Sequence, residues 1–166
     1  VSGIAIVGSN TGAGSGALGA ITSGENNSAF GENALNSNTS GSYNSAFGNG
    51  SLQNNQNGSA NTAIGSNALY SNTDGQSNVA IGAQSLYFNT SGSSNIAIGG
   101  AALFLNNDGN FNIGIGSNAL YSNVGGDFNI GIGDSTLNAN TSGNNNIAVG
   151  AGALTLNTSG GGNTAI

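Results

Sequence analysis

The chain has 166 residues, a net charge of −6, and no Lys, Arg, His, Cys, Met, Trp or Pro. Without His, Cys or Lys it has no imidazole base, thiol nucleophile, Schiff-base amine or soft metal ligand. No positive side chain is present to contact nucleic-acid phosphates or anionic lipid, and no apolar run approaches the ~18 residues of a membrane span. We therefore expect no catalytic residue, no cofactor, no metal site, no nucleic-acid partner and no membrane insertion.

Residues 1–9 do not fit the pattern that follows them. Gly3-Ile4-Ala5-Ile6 resembles the start of a repeat, but its spacing to Asn10 does not match. We expect an irregular leading coil or a junction here. Residues 163–166 begin a further repeat that is not completed, so we also expect the chain to be a stretch of a longer or processed protein.

Residues 10–162 form nine copies of a seventeen-residue unit, without an insertion or deletion. The consensus is N-x-A-I-G-x-x-A-L-x-x-N-T-S-G-x-x, and unit positions are numbered from its first Asn. A fixed period of this length means that each copy is one coil and that neighbours bury each other's apolar face. The first position of every unit is Asn, which defines the opening Asn row: Asn10, Asn27, Asn44, Asn61, Asn78, Asn95, Asn112, Asn129, Asn146 and Asn163.

Unit positions 2 to 4 predict a short strand. Position 4 is apolar in nearly every copy, position 2 changes along the chain from Ser or Thr to Val or Ile, and position 3 is Ala or Gly. A helix is excluded because β-branched residues at a spacing of two lie beside Gly and Asn. The strand has one bulky face and one nearly bare face. The bare face either admits another backbone or fits a cramped interior; we favour close approach of another chain.

Unit positions 8 to 11 predict a second short strand. Position 9 is always Leu and position 8 is small, while position 10 is often aromatic and should face outward. We expect the aromatic side chains to stack as an outer ladder. The apolar residues at positions 4 and 9 are expected to form the core. In the central copies these are Ile64, Leu69, Ile81, Leu86, Ile98, Leu103, Ile115, Leu120, Ile132 and Leu137.

Unit positions 12 to 15 predict a tight turn, often Asn-Thr-Ser-Gly. Asn bonds its own backbone in such turns, and Gly is expected to supply a positive φ. The turn glycines include Gly41, Gly75, Gly92, Gly109 and Gly143. Stacked coils would align two amide ladders, one through the turn Asn from Asn38 onward and one through the opening Asn row. The structural ladder is predicted at Asn27, Asn44, Asn61, Asn78, Asn95, Asn112, Asn129 and Asn146.

These features predict an all-β fold, a parallel β-solenoid of 17-residue coils with two short strands per coil. The unit also resembles the head repeats of trimeric autotransporter adhesins, and even more the seventeen-residue repeats of phage and viral tail-fibre proteins. The resemblance implies a left-handed β-roll that associates as a homotrimer. It is carried by Asn61–Gly75, Asn78–Gly92, Asn95–Gly109, Asn112–Gly126 and Asn129–Gly143.

The predicted function is that of a structural extracellular fibre or adhesin segment, a rigid rod at a cell or virion surface. Its expected partners are itself, as a homotrimer or filament, and a host-surface or matrix ligand. An ice-binding solenoid is one alternative, because position 13 carries a broken Thr row. A subunit of an amyloid-like surface filament is another, because of the Asn ladders. The row at position 13 contains Thr22, Thr39, Thr73, Thr90, Thr141 and Thr158.

Two further residue sets have an ordinary structural interpretation. The six carboxylates are interpreted as turn-forming or solvating groups. The paired acids of a glycosidase need a cleft, which a narrow β-roll does not offer, and Asp74 and Asp108 lie two coils apart, about 10 Å, which is too far to share a calcium ion. Four turn asparagines begin Asn-Thr-Ser sequons, for which turn chemistry is the simpler explanation. They are Asn38, Asn89, Asn140 and Asn157.

Overall fold

The chain winds as a parallel β-solenoid, as the seventeen-residue period predicts. The computed structural model describes residues 4–166, with side chains from residue 8 onward, so residues 1–3 of the leading segment lie outside it. Its eleven strands form one sheet in which every strand pairs with its neighbours in chain order. The strands are β1 Ile4–Val7, β2 Asn10–Ala13, β3 Ser28–Phe30, β4 Ser45–Phe47, β5 Thr62–Ile64, β6 Val79–Ile81, β7 Ile96–Ile98, β8 Ile113–Ile115, β9 Ile130–Ile132, β10 Ile147–Val149 and β11 Thr164–Ala165.

Equivalent unit positions pair with each other between coils. Thr62 is opposite Val79 and Ala63 is opposite Ala80, and all strands from β2 to β11 are parallel. Because neighbouring strands lie about 4.8 Å apart, nine coils make a rod section of about 40–45 Å. A single inserted residue would shift every later contact by one unit position, which explains the absence of insertions and deletions.

The strand ends at the glycine of unit position 5. Gly65 has a φ of 136°, a backbone angle that residues other than Gly rarely adopt. A Cβ there would lie 2.7 Å from the carbonyl carbon of Gly82 in the next coil. The bend therefore requires Gly both for its backbone conformation and for the close approach of the coil above.

The second strand expected at unit positions 8 to 11 is wrong, because this segment is a run of turns. Leu69 has a φ of 52°, in the left-handed region, so the chain is not extended there. Its N–H still donates to the carbonyl of Ser85 in the next coil at 3.0 Å, and that of Ser71 donates to Tyr87 at 3.0 Å. Each coil thus has one strand and one hydrogen-bonded bent segment.

The leading segment forms a hairpin on the first coil. β1 pairs with β2 in the antiparallel direction, with Val7 opposite Asn10, and Gly8 and Ser9 form the turn between them. This is the point in the described chain at which strand direction reverses. The hairpin covers the strand edge of β2, where the parallel stack starts.

The core differs from the expected one in which strand face points inward. The Leu of position 9 is buried, but Ile64, Ile98 and Ile132 are 42, 36 and 39 % exposed. Ile81 and Ile115 are only half-buried, so the prediction that these five isoleucines form the core is wrong. The residues of position 3 face the interior instead, and they define the inner row: Gly12, Ala29, Ala46, Ala63, Ala80, Ala97, Gly114, Gly131 and Ala148.

The small side chains of the inner row are explained by the narrow interior. The buried residues of the inner row pack with the Leu of position 9 into one core cluster. At Gly114 a Cβ would already contact Leu103, 3.3 Å from its Cγ, so no bulky residue fits opposite Leu. The favoured explanation of the bare face, close approach of another chain, is therefore wrong, and the cramped interior is correct.

In the described part of the chain, no helix has the length and apolar character needed to cross a bilayer.

Candidate functional site

The opening Asn row closes each coil and connects it to the next one. Asn61 is buried, and its Nδ2 donates to the carbonyl of Gly75 in the same coil at 2.8 Å. Its Oδ1 accepts the backbone N–H of Asn78 at 2.9 Å. The same backbone-to-amide step recurs from Asn27 to Asn163. Asn fits because it offers donors and an acceptor on one short side chain.

The turn asparagines form a second ladder made of side-chain amides. Asn72 donates to Oδ1 of Asn55 in the preceding coil at 2.7 Å and to the carbonyl of Gly75 at 3.0 Å. Both Asn rows therefore converge on the carbonyl of the turn glycine. The turn Asn row consists of Asn38, Asn55, Asn72, Asn89, Asn106, Asn123, Asn140 and Asn157.

Sequence reasoning missed a third polar row, at unit position 16. Here a side-chain oxygen accepts the backbone N–H of the same position one coil earlier, as from Ser93 to Oδ1 of Asn110 at 2.9 Å. Asp127 Oδ1 accepts from Asn110 at 2.7 Å in the same way. Most copies have Ser, Asn, Asp or another side-chain oxygen at this position, and that recurrence was the available signal. Among the described residues, no buried side-chain polar atom lacks a partner.

The turn glycines are required for a different reason than expected. Gly75 and the other turn glycines do not have the predicted positive φ. A Cβ on Gly75 would overlap the carbonyl of Gly92 and lie 2.8 Å from Nδ2 of Asn89. The prediction of positive φ is therefore wrong at Gly41, Gly75, Gly92, Gly109 and Gly143, where Gly leaves room for the next coil and its Asn.

Three of the four sequon asparagines are completely buried. Asn38, Asn89 and Asn140 have no exposed surface, and Nδ2 of each donates to the carbonyl of its turn glycine. A glycan is attached through this nitrogen. The folded coil therefore has no room for a sugar at these positions, and turn chemistry accounts for the motif.

An outer aromatic ladder lies at unit position 10, as Tyr70, Tyr87, Phe104 and Tyr121. Ring centroids of successive coils are 5.0, 5.3 and 5.0 Å apart, with interplanar angles of 6, 21 and 9°. Phe88 adds edge contacts to two of these rings. Because the rings cover each other's faces, only ring edges and hydroxyls point away from the ladder. The ladder stabilises the stack, but its inner members have no free face on which a sugar ring could stack.

The carboxylates do not form a reactive cluster. Asp74 Oδ1 accepts from Asn57 at 2.8 Å, and Glu32 Oε2 accepts from Asn49 at 3.1 Å, both between neighbouring coils on the surface. Within residues 4–166, no group of three or more acidic, Cys or His side chains is placed to hold a metal ion. A shallow cavity of about 200 Å³ beside the N-terminal hairpin contains one carboxylate, that of Glu25.

The Thr row at position 13 is engaged in the stack. The hydroxyl of Thr73 donates to the carbonyl of Thr90 at 3.0 Å, and that of Thr141 donates to Thr158 at 3.0 Å. Thr22 and Thr39 make the same bond to the next coil, and the hydroxyl of Thr90 donates to the side-chain carbonyl of Asn107 there at 2.7 Å. These hydroxyl hydrogens bond protein carbonyls, so the row does not present a free array of donors to water or ice.

The outward face of the sheet is a regular surface along the rod. We call positions 2 and 4 the outer strand rows, and position 17, which precedes each opening Asn, the edge row. All six carboxylates lie at positions 6, 14 and 16, so none lies on the outer strand rows or the edge row. Position 2 comprises Thr11, Ser28, Ser45, Thr62, Val79, Ile96, Ile113, Ile130 and Ile147; position 4 comprises Ala13, Phe30, Phe47, Ile64, Ile81, Ile98, Ile115, Ile132 and Val149.

Comparison of the chain with known protein families, with curated proteins and with solved structures gives no match. The functional proposal therefore rests on the geometry of the coils. Its two notable parts are the ladders that fix the stack and the uncharged apolar face that the stack displays.

Proposed function

We propose that this chain is a rigid segment of an extracellular fibre, serving as spacer or adhesive head and not as an enzyme. The observation that carries the proposal is the buried Asn network, which holds every coil in register with the next over the whole repeat array. A stack with this register has one long axis and a constant cross-section. Such a rod spans a fixed distance and transmits force along its axis. It also displays the same surface residues once in every coil.

The composition supports a place outside the cell, at a cell or virion surface. The chain has no Lys or Arg, so proteases that cleave after basic residues have no site. The backbone of each coil is hydrogen-bonded to its neighbours, even in the bent segments. The resemblance of Asn61–Gly75 and its copies to adhesin head and tail-fibre repeats points the same way.

The outer strand rows support self-association, with a homotrimer as the arrangement that the resemblance suggests. Ile64, Ile98 and Ile132 lie partly exposed on a regular, uncharged face. Regular apolar patches on soluble proteins commonly mark interaction surfaces. Attachment to a host-surface or matrix ligand would use unit positions 6, 7, 10 and 16, which vary between coils and lie outside this face, and would be strengthened by multivalency.

Whole-coil deletion tests the rod. Removing residues 78–94 joins Ser77 to Asn95 in correct register, whereas removing residues 78–85 places Leu86 where an opening Asn belongs. We expect the first variant to keep its β-sheet circular dichroism, cooperative unfolding and resistance to proteinase K, with a rod shorter by about 4.8 Å in small-angle scattering. The second should unfold or become protease-sensitive. Equal behaviour of the two variants would contradict the proposal.

A further inference from the structure

The outer strand rows change character along the rod. Position 2 is Ser or Thr in the first four coils and becomes aliphatic at Val79, continuing through Ile96, Ile113, Ile130 and Ile147. Position 4 is bulky and apolar from Phe30 onward. The face therefore has one apolar row near the N-terminal end and two from the fifth coil onward.

Two aromatic side chains of the edge row add to the apolar surface in the later coils. Phe111 and Phe128 stack with ring centroids 5.0 Å apart, and they are 52 and 54 % exposed. They precede the strands that begin with Ile113 and Ile130. The equivalent positions before the fifth and sixth coils are Ser77 and Ser94. The most apolar part of the face thus lies around β8 and β9.

Charge points to another copy of this chain as the occupant of the face. The chain carries six acidic groups and no basic group, so two copies repel each other wherever their carboxylates meet. The outer strand rows and the edge row contain no carboxylate. This face is therefore one on which two like-charged copies can approach without bringing charged groups into contact.

The spacing of the rows also fits a second copy. Equivalent side chains recur once per coil, in register from coil to coil. A second copy has the same spacing and can therefore match this face at every coil. The copies run parallel if they form the proposed homotrimer, because three-fold symmetry about the rod axis requires it. The flat strand face is about 10 Å wide and about 40–45 Å long, so its area is about half of the roughly 800 Å² per partner of a stable interface. An interface of this size holds copies together weakly, and its affinity depends on its most apolar coils, which are the later ones.

We propose that copies of this chain join in parallel through the C-terminal coils, along Val79, Ile96, Ile113, Ile130 and Ile147 with Phe111 and Phe128, and that the first four coils add little. This inference rests on the self-association in the proposed function and assigns it a location and a polarity. A fibre built this way is held together more tightly towards its C-terminal end. At position 2, its first four coils present Ser and Thr in place of Val and Ile.

Ile64 and Ile132 provide a matched test. Both occupy position 4, with exposures of 42 and 39 %, but Ile64 has Thr62 as its neighbour in position 2 and Ile132 has Ile130. Ile64→Thr and Ile132→Thr therefore change the monomer alike. In sedimentation velocity over a concentration series, we expect Ile132→Thr to raise the midpoint concentration of association by about tenfold or more, and Ile64→Thr by about threefold or less.

The double variant Ile113→Thr/Ile130→Thr gives these coils the residue that Thr62 already provides at the same unit position, so the fold should be retained. Association should weaken by about 100-fold or more, while circular dichroism and the unfolding transition of the monomer stay close to those of the parent. An associated parent protein that is equally sensitive to Ile64→Thr and Ile132→Thr, or insensitive to the double variant, would overturn the C-terminal location. A parent that stays monomeric at all concentrations would instead contradict the self-association in the proposed function.

Discussion

Asn61 and Asn72 donate side-chain N–H groups to the same acceptor, the carbonyl oxygen of Gly75, at 2.8 and 3.0 Å. Asn61 precedes the strand of its coil and Asn72 begins the turn, so one carbonyl connects both sides of the coil. Asn72 also donates to Oδ1 of Asn55 in the coil before. The bonds that close a coil and the bonds that stack it therefore share the same amide groups, and disrupting one should weaken both.

Replacing Asn72 with Asp tests this shared network. The carboxylate keeps the shape but removes both donors, and it places a buried negative charge against the oxygens of Gly75 and Asn55. We expect the free energy of unfolding at pH 7 to fall by about 3–5 kcal/mol, measured by chemical denaturation. Asn107→Asp is the control, because Asn107 is exposed and Oδ1 accepts a bond from Thr90; its effect should be below about 0.5 kcal/mol.

The loss at Asn72→Asp should depend on pH in one direction. Burial among acceptors raises the folded-state pKa of the introduced carboxyl above its unfolded value of about 3.9. The variant should therefore lose stability relative to the parent as pH rises from the unfolded pKa to the folded pKa, and recover it below the unfolded value. A loss that is constant between pH 3 and pH 7 would show that charge is not its cause.

Leu86 should not tolerate replacement by Ile, although the two side chains have the same volume. Leu86 has a φ of 51° and is fully buried, and β-branched residues are strongly disfavoured in this left-handed region. We expect Leu86→Ile to cost about 1–3 kcal/mol in the free energy of unfolding. Ile98→Leu, on an exposed strand position, should change it by less than about 0.5 kcal/mol. Similar losses at both positions would contradict the assigned backbone conformation.

Two glycines with different surroundings test the close approach of the coils. A Cβ on Gly75 would overlap the carbonyl of Gly92, whereas a Cβ on Gly100 would have no atom within 4 Å of it beyond its chain neighbours. Gly75→Ala should lower the free energy of unfolding by about 2–3 kcal/mol. Gly100→Ala should leave it unchanged or raise it by up to about 1 kcal/mol. A Gly75→Ala protein that is as stable as the parent would contradict the close approach of the coils at Gly75.

Thermal hysteresis should be absent in the purified protein. The hydroxyls of Thr73 and Thr141 donate to carbonyls of the next coil, and Val124 interrupts the Thr row. Measuring the freezing-point gap at millimolar protein tests this expectation directly. A gap clearly larger than that of an equal concentration of an ordinary soluble protein would restore ice binding as a function.

The sequence predicts the coil and its register well because stacked positions keep the same residue type at a fixed spacing. A residue that must meet its own copy one coil later, such as Asn61 meeting Asn78, is constrained to one type at one spacing. The period, the solenoid and the two Asn rows all follow from such positions. The position 16 row escaped notice because any side-chain oxygen serves there, so Ser93 and Asp127 do not look alike in sequence.

The sequence does not reveal which face of the strand is inside. A period of two places Thr62 and Ile64 on one face and Ala63 on the other, and hydrophobicity favours Ile as the buried side chain. The interior is too narrow for that choice, because Leu69 enters it from the opposite side and leaves space for Ala. The left-handed φ of Leu69 is equally hidden, since Leu is not a residue expected in that region.

The central claim is that copies of a stacked rod meet through the outer face of the sheet. A crystal structure of the associated protein tests it most directly. We expect three parallel copies, each with Ala97 inside its own coil and with Ile113 and Ile130 facing the shared axis. Single copies with Ile113 and Ile130 in solvent, or copies joined through the aromatic ladder at Tyr87 and Phe104, would contradict it.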